Sequence, residues 1–585
     1  MKKLHCLLVC CIIFASSVKA QDYTHYVNPM IGTGGNGHVF PGATVPFGMV
    51  QLSPDQRTTG WEFCSGYSYA ENQILGFSHT HLSGTGIGDL GDILVMPYVG
   101  QKPDTSSYPG KTTFTHLQEK SSPGYYEVFL PEPKILAQLT ASQRVGVHQY
   151  TFPKSKEAFI NINLIHKIYS HWGKAVESEF IVENDSTFSG YRYLAEGWAP
   201  LRKVYFVIVV SKPIKNIYIN SQTTDLRGSL LAKGYQRFRN KNVNINLQFQ
   251  TSEMEKIGMK VALSAISVQN ARKNLKEVKN LNFQKVRDNA KQLWNNYLSR
   301  IQITAEPKVR EIFYTSLYHT LIQPNQMADP DSSFVGPDYQ LHKSTTGNYY
   351  STFSLWDTYR ATHPLYTLLV PELVPDMMNT LLQHDSINGY LPIWALWGTE
   401  NHCMIANHSV PVLTDAILKG FKGIDAEKAY SAIKKTLTDD HQGSHWNAWQ
   451  YDKYGYVRAD SLGGSSVSKT LEFSFNDWCA AQLAKKLNKQ ADYDYFMKKA
   501  NYYKNLFRKD KEMMWPKNTD GKWAIWDEYK KIVSKYDKRG AKAVCNIERF
   551  AFYEEVKTAY AIIATSEKAL YANIMLQKGV VVDSR

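Results

Sequence analysis

Between residues 28 and 266 the chain alternates apolar and polar positions in short runs broken by Gly, Pro, Asn and Asp. Gly124 to Leu130, Val145 to Phe152, Ala158 to Leu164 and Val204 to Val210 have the period of two that half-buried strands require. Their recurrence with turn residues between them predicts an antiparallel β-sandwich over residues 21–268. After Val268 the period lengthens. Residues 270–300 are charged, with apolar positions at Leu275, Val278, Val286, Leu293, Trp294 and Leu298, the spacing of a helix. Residues 269–305 are therefore expected to be a helical linker between domains. From 306 to 524 helical spacing dominates, over 309–323, 356–369, 374–383, 426–437, 468–487 and 492–507, without a repeat of fixed period. Paired helices with aromatic- and glycine-rich loops at one end predict a helical toroid. The fold class is thus α+β and multidomain, an N-terminal antiparallel β-sandwich followed by the toroid.

The first twenty residues depart from both patterns. Lys2 and Lys3, the apolar run Leu4 to Phe14 and the small residue Ala20 form the three zones of a secretory signal peptide, residues 1–20, and the chain is expected to be exported, to a bacterial periplasm. No later apolar run is long enough for a membrane span. A length of 585 residues exceeds one core, and 43% hydrophobic residues suffice for packed domains. The formal charge of +14 falls to +11 without the three lysines of the leader, and the basic residues are scattered, which excludes a nucleic-acid track. Cys6, Cys10 and Cys11 belong to the leader. The remaining Cys64, Cys403, Cys479 and Cys545 have neither zinc spacing nor the density of a disulfide scaffold, and one disulfide at most is expected.

The stretch Gly60 to Asp92 carries the densest chemistry: Trp61, Cys64, His79, His81, Asp89 and Asp92, separated by five glycines at 66, 84, 86, 88 and 91. Gly84 to Gly88 lacks the lysine and the strand-to-helix context of a phosphate loop. His79 and His81 have a spacing that zinc sites can use, against the plainer reading of two hydrogen-bonded strand histidines. Together with Val27 to Gly35, Phe40 to Ala43 and Pro46 to Met49, the stretch resembles the N-terminal module of glycoside hydrolase family 92, the calcium-dependent exo-α-mannosidases. The resemblance implies an incomplete (α/α)6 barrel behind the sandwich, mannose-containing glycans as substrates, an inverting mechanism, and calcium as a hard cation on sugar oxygens. It makes Trp61, Cys64, Ser65, Gly66 and His81 candidate substrate-binding residues.

In the helical half, Phe353 to Arg360 places an aromatic, a carboxylate and a guanidinium at a helix start. Asp357 either caps that helix or accepts hydrogen bonds from sugar hydroxyls beside the apolar wall of Trp356. Family members carry the same Trp-Asp-x-x-Arg pattern, so Trp356, Asp357 and Arg360 are assigned to the site. Leu391 to Val410 and Gly464 to Cys479 also resemble family segments, and Glu400 is the free carboxylate of interest, against the plainer reading of structural use in a helix cap or ion pair. The resemblance ends near Trp523. Residues 525–585 lack the glutamate motif of the family's general acid and the later segment carrying its base and calcium ligands. Triplets encoding Asp537 to Cys545, read one nucleotide later, can restore the motif, and a frameshift is the expectation. A chain without these carboxylates is either a crippled mannosidase or a non-catalytic carbohydrate-binding protein.

Overall fold

The computed structural model describes residues 21–525 except 101–110, 171–172, 221–235, 281, 440–447 and 461–464. The expected leader and the segment beyond 525 lie outside the described residues. Two compact units divide between Phe334 and Val335.

The first unit is built on two large antiparallel sheets. One runs, in spatial order, through 43–44, 51–55, 76–78, 94–99, 155–163, 244–251 and 216–220, and the other through 236–240, 175–182, 187–194, 202–210, 255–264, 145–152, 135–141, 125–130 and 119–122. The four runs predicted as strands are strands, Tyr125–Leu130, Val145–Phe152, Ser155–Asn163 and Arg202–Val210. Alternation decides their faces: in Ile135–Ala141, Ile135, Ala137 and Leu139 are buried while Leu136 and Gln138 are half-buried.

The stretch 269–305, expected to be a helical linker, is largely helical and packs on the sandwich. Its pattern breaks into two helices, Val268–Asn274 and Phe283–Leu298, each started by a side chain that accepts a backbone amide, Ser267 from Asn270 and Asn282 from Lys285. Val278, Phe283 and Val286 pack on Tyr125, Val145, Val147 and Ala262 of the nine-stranded sheet. Trp294 is fully buried and donates to the Thr44 carbonyl at 2.7 Å. The following helix Pro307–Thr320 lies in the same compact unit as the sandwich, which extends to Phe334.

The second unit is helical, with Thr362–Leu369, Val374–Asn388, Ser409–Leu418, Ala426–Thr438, Ser466–Lys486 and Gln490–Ala500 as its longer helices. A three-stranded sheet, Phe353–Ser354, Trp394–Leu396 and Thr399–Glu400, sits beside the short helix Leu355–Thr358. Among the described residues no helix is long and apolar enough to cross a membrane. Cys64, Cys403 and Cys479 are free thiols, and Cys545 lies outside the described residues.

Candidate sugar-binding sites

In the first unit the glycine-rich stretch contributes the strand Gly76–Ser78 to the seven-stranded sheet and otherwise forms mainly loops. Trp61 opens a single turn of 3-10 helix, Trp61–Phe63, that Gly60 makes possible with φ +102°. Its indole Nε1 donates to the Gly86 carbonyl at 2.9 Å and its ring meets His38 edge-on at 4.6 Å. A Cβ on Gly86 would stand 3.0 Å from the indole, so the glycine is what lets the ring lie close. Even so, Trp61 is 54% exposed.

The other candidate residues of the stretch point inward. Cys64, Ser65 and His81 have no exposed surface, and Gly66 is buried. The Cys64 thiol lies 3.1 Å from the Tyr169 hydroxyl, and burial pushes its pKa up, which leaves a neutral packing group. Ser65 donates to the Val39 carbonyl at 3.0 Å. His81 meets the Gln51 carbonyl through Nδ1 at 2.8 Å and Asp55 through Nε2 at 2.7 Å, while the second Asp55 oxygen takes His166 at 2.8 Å. Burial alone would raise the Asp55 carboxyl, but the two imidazoles outweigh it and hold the group well below the carboxylate range. Gly66 touches the same carboxylate, where a Cβ would stand 2.2 Å from Oδ1. Four of the five predicted residues of this stretch therefore shape the loop from beneath, and Trp61 is the one that faces solvent.

The zinc spacing fails for a geometric reason. His79 and His81 follow the strand Gly76–Ser78 and diverge: His79 pairs with His148 at 3.0 Å and with the Ile93 carbonyl at 2.8 Å, away from Asp55. Asp89 and Asp92 are also structural. Arg202 binds Asp89 at 2.8 Å and Asp92 at 3.2 Å, Arg192 binds Asp92 at 3.3 Å, and all four groups are buried. Among the described residues no three His, Cys, Asp or Glu side chains converge as a metal site. The calcium implied by the resemblance thus finds no acidic donor set among them.

In the second unit two of the four assigned residues, Trp356 and Arg360, meet at a carboxylate that the sequence analysis did not assign. Glu472, one turn inside the helix Ser466–Lys486, accepts from Trp356 Nε1 at 3.1 Å, meets Arg360 at 3.6 Å and binds His408 Nε2. Arg360 lies over the Trp356 ring at 4.6 Å, and Tyr359 stacks on His408 with centroids 4.0 Å apart. Asp357 is exposed; it accepts the Ser354 hydroxyl and does not cap the helix backbone. Glu400 takes the structural of its two readings. It accepts the amides of Ile393 at 2.6 Å, Trp394 at 3.2 Å and His402 at 2.7 Å, and so braces the hairpin between the preceding strand and its own. Cys403 shares this surface: burial first, then the charges of Asp357 and Glu400, raise its pKa. The arrangement offers a fixed indole, a guanidinium and one exposed carboxylate, the groups that hold a small polyhydroxyl ligand.

Comparison with known proteins gives a consistent picture. Residues 26–264 match the N-terminal domain of glycosyl hydrolase family 92 and residues 270–567 its catalytic domain. An α-mannosidase of Bacteroides thetaiotaomicron, solved in complex with mannoimidazole, is 37% identical, with a TM-score of 0.81 over 86% of this chain and 67% of that one. An inverting mannosidase of the same organism is 28% identical, with a TM-score of 0.76 over 87% of this chain and 68% of that one. An uncharacterized secreted glycosidase of Arthroderma benhamiae is 26% identical over 85% of this chain, which spans only 64% of its length. A separate short match joins 56 residues, 10% of this chain, to 35% of the human fucose mutarotase at 46% identity.

Proposed function

The chain belongs to glycosyl hydrolase family 92, and we propose that it is an exported protein that recognises terminal α-linked mannose on glycans, descended from inverting exo-α-mannosidases and itself of negligible hydrolytic activity. The observation that carries the sugar class is the 37% identity to an α-mannosidase that binds mannoimidazole. Trp356 supplies the apolar wall, Arg360 and Asp357 the hydrogen bonds to hydroxyls, and Trp61 an exposed ring in the sandwich unit. Inverting hydrolysis needs an acid and a base about 6.5–9.5 Å apart. Among the described residues of this cluster, Glu400 is bound by three amides and Glu472 by Trp356, Arg360 and His408, which leaves Asp357 as the exposed carboxylate, and the proposed inactivity rests on that shortage of an exposed pair. No step is assigned to calcium, because the described residues offer it no acidic donor set.

The mutarotase match supports the loss of catalysis. The family motifs run from Val27 to Trp523, and residues 525–585 are the stretch long enough for a 56-residue match elsewhere. We place it there, which favours a join to foreign coding sequence over a shifted frame. The family match claims residues up to 567 as well, and the gene decides between them. A mannosidase remainder in another frame downstream would support the frameshift; a broken mutarotase frame would support the join.

The experiment on function measures mannose release from α-linked mannobiose, with and without chelator, beside calorimetric binding of the same sugar. Binding without release is the expected result. Robust turnover would overturn the inactivity, and absence of binding would overturn the sugar reading.

A further inference from the structure

A second exposed aromatic, Tyr69, is built into the sandwich unit as firmly as Trp61. Its ring stacks on His116 with centroids 4.0 Å apart and planes 11° from parallel, while 47% of the residue stays exposed. Both nitrogens of His116 are engaged, Nε2 with the Tyr69 carbonyl at 2.7 Å and Nδ1 with Glu119 at 2.9 Å. Glu119 is buried and also accepts the hydroxyls of Tyr67 at 2.9 Å and Tyr126 at 2.5 Å, which ties the stack into the core. The Tyr69 amide donates to the Thr33 carbonyl at 3.0 Å.

That last bond relates Tyr69 to Trp61. Thr33 begins a short loop that ends at His38, whose ring lies against Trp61. The loop's middle is exposed and nearly without side chains, Gly34, Gly35, Asn36 and Gly37, and a Cβ on Gly35 would meet nothing within 4 Å. Five residues bridge at most about 18 Å, the reach of a short oligosaccharide. The two rings are thus joined through an exposed loop of three glycines and one carboxamide. An aromatic ring fixed by stacking on one side and left wet on the other is organised for a ligand with an apolar face and a polar rim.

We propose that Tyr69, backed by His116, is a second sugar-stacking subsite that takes a ring of an α-linked mannooligosaccharide remote from the residue nearest Trp61. This rests on the mannoside reading and adds a length preference to it. Calorimetry on the full chain with α-mannobiose and α-mannotetraose tests it. The tetrasaccharide is expected to bind about tenfold more tightly. Tyr69→Ala removes that gain, Tyr69→Phe keeps it, and mannobiose affinity is unchanged in both. Should Tyr69→Ala fail to fold, Tyr69→Leu, which covers His116 without an aromatic face, reads the same difference. Equal affinities for the two sugars, or a length gain that survives Tyr69→Ala, overturns the subsite and leaves the proposed function standing. No binding of either sugar overturns both.

Discussion

The indoles of Trp61 and Trp356 are both anchored through Nε1, but to partners of different kinds. Trp61 donates to a neutral carbonyl, and the charges of its unit, Asp55, Asp89, Asp92, Arg192 and Arg202, lie buried beneath it in compensated pairs. Trp356 donates to a carboxylate, and the exposed Arg360 shares that same carboxylate. Charge in the first region therefore holds the fold, whereas in the second an exposed guanidinium shares a half-buried carboxylate, where the proposed function puts the ligand. The same substitution chemistry should then act on stability in one region and on binding in the other.

The largest effect is expected at Asp55. Asp55→Ala leaves His81 and His166 without their shared partner in a dry interior, and breaking a buried pair from one side costs about 3–5 kcal/mol. Urea unfolding reads this directly. A loss below about 1 kcal/mol would show that the network is incidental.

Acid sharpens the contrast next. Burial first, and then the charge of His81, holds His79 down at about 4, and burial with the His79 charge holds His148 well below its usual value. Both groups have lowered folded values, so the folded state takes up fewer protons than the unfolded chain below about pH 6.5. Their stabilisation is complete above that pH and is lost as pH falls towards 4. The melting temperature should drop across this window, with His148→Asn flattening the slope by about one proton. An equal slope in wild type and variant would remove the pair from the account.

How far the sequence carries depends on periodicity. Tyr125–Leu130 and Val145–Phe152 were legible because alternate burial leaves a period of two, and the family motifs were legible because they are local. Inside Gly60 to Asp92 the glycines erase any period, so residue type marked His81 and Cys64 as candidates although the fold buries them. Glu400 shows a second limit. A carboxylate reads as available until the amides of Ile393, Trp394 and His402 converge on it, and that convergence exists only after the turn forms. Glu472 was hidden differently: Ser466 to Leu471 are all buried, which leaves no polar face to give its helix a phase.

A medium effect is expected at Glu472 itself. Glu472→Ala removes the partner of Trp356, Arg360 and His408 together, and losing hydrogen bonds to a charged group costs about 1–3 kcal/mol. Mannobiose affinity should fall with stability, because Trp356 loses its anchor. Affinity that survives while stability falls would detach this cluster from the ligand.

The smallest effect on stability and the cleanest test of the comparison is Trp61→Ala. More than half of Trp61 is already in solvent, and its hydrogen bond ends on a backbone carbonyl that water can reach once the ring is gone. The charged pairs below it do not touch the indole, so their compensation is unaffected. Stability should change by no more than about 0.5 kcal/mol, the usual range for surface positions. Mannooligosaccharide affinity should nevertheless fall about tenfold, since an exposed ring fixed by His38 and Gly86 contributes to a ligand what it does not contribute to the fold. Trp61→Phe should recover part of the binding without the Gly86 hydrogen bond. Paired melting and calorimetry decide the matter. If Trp61→Ala unfolds the chain as readily as Asp55→Ala, the division between a fold-holding interior and a ligand-facing ring is wrong. If it leaves binding untouched, Trp61 is surface and nothing more.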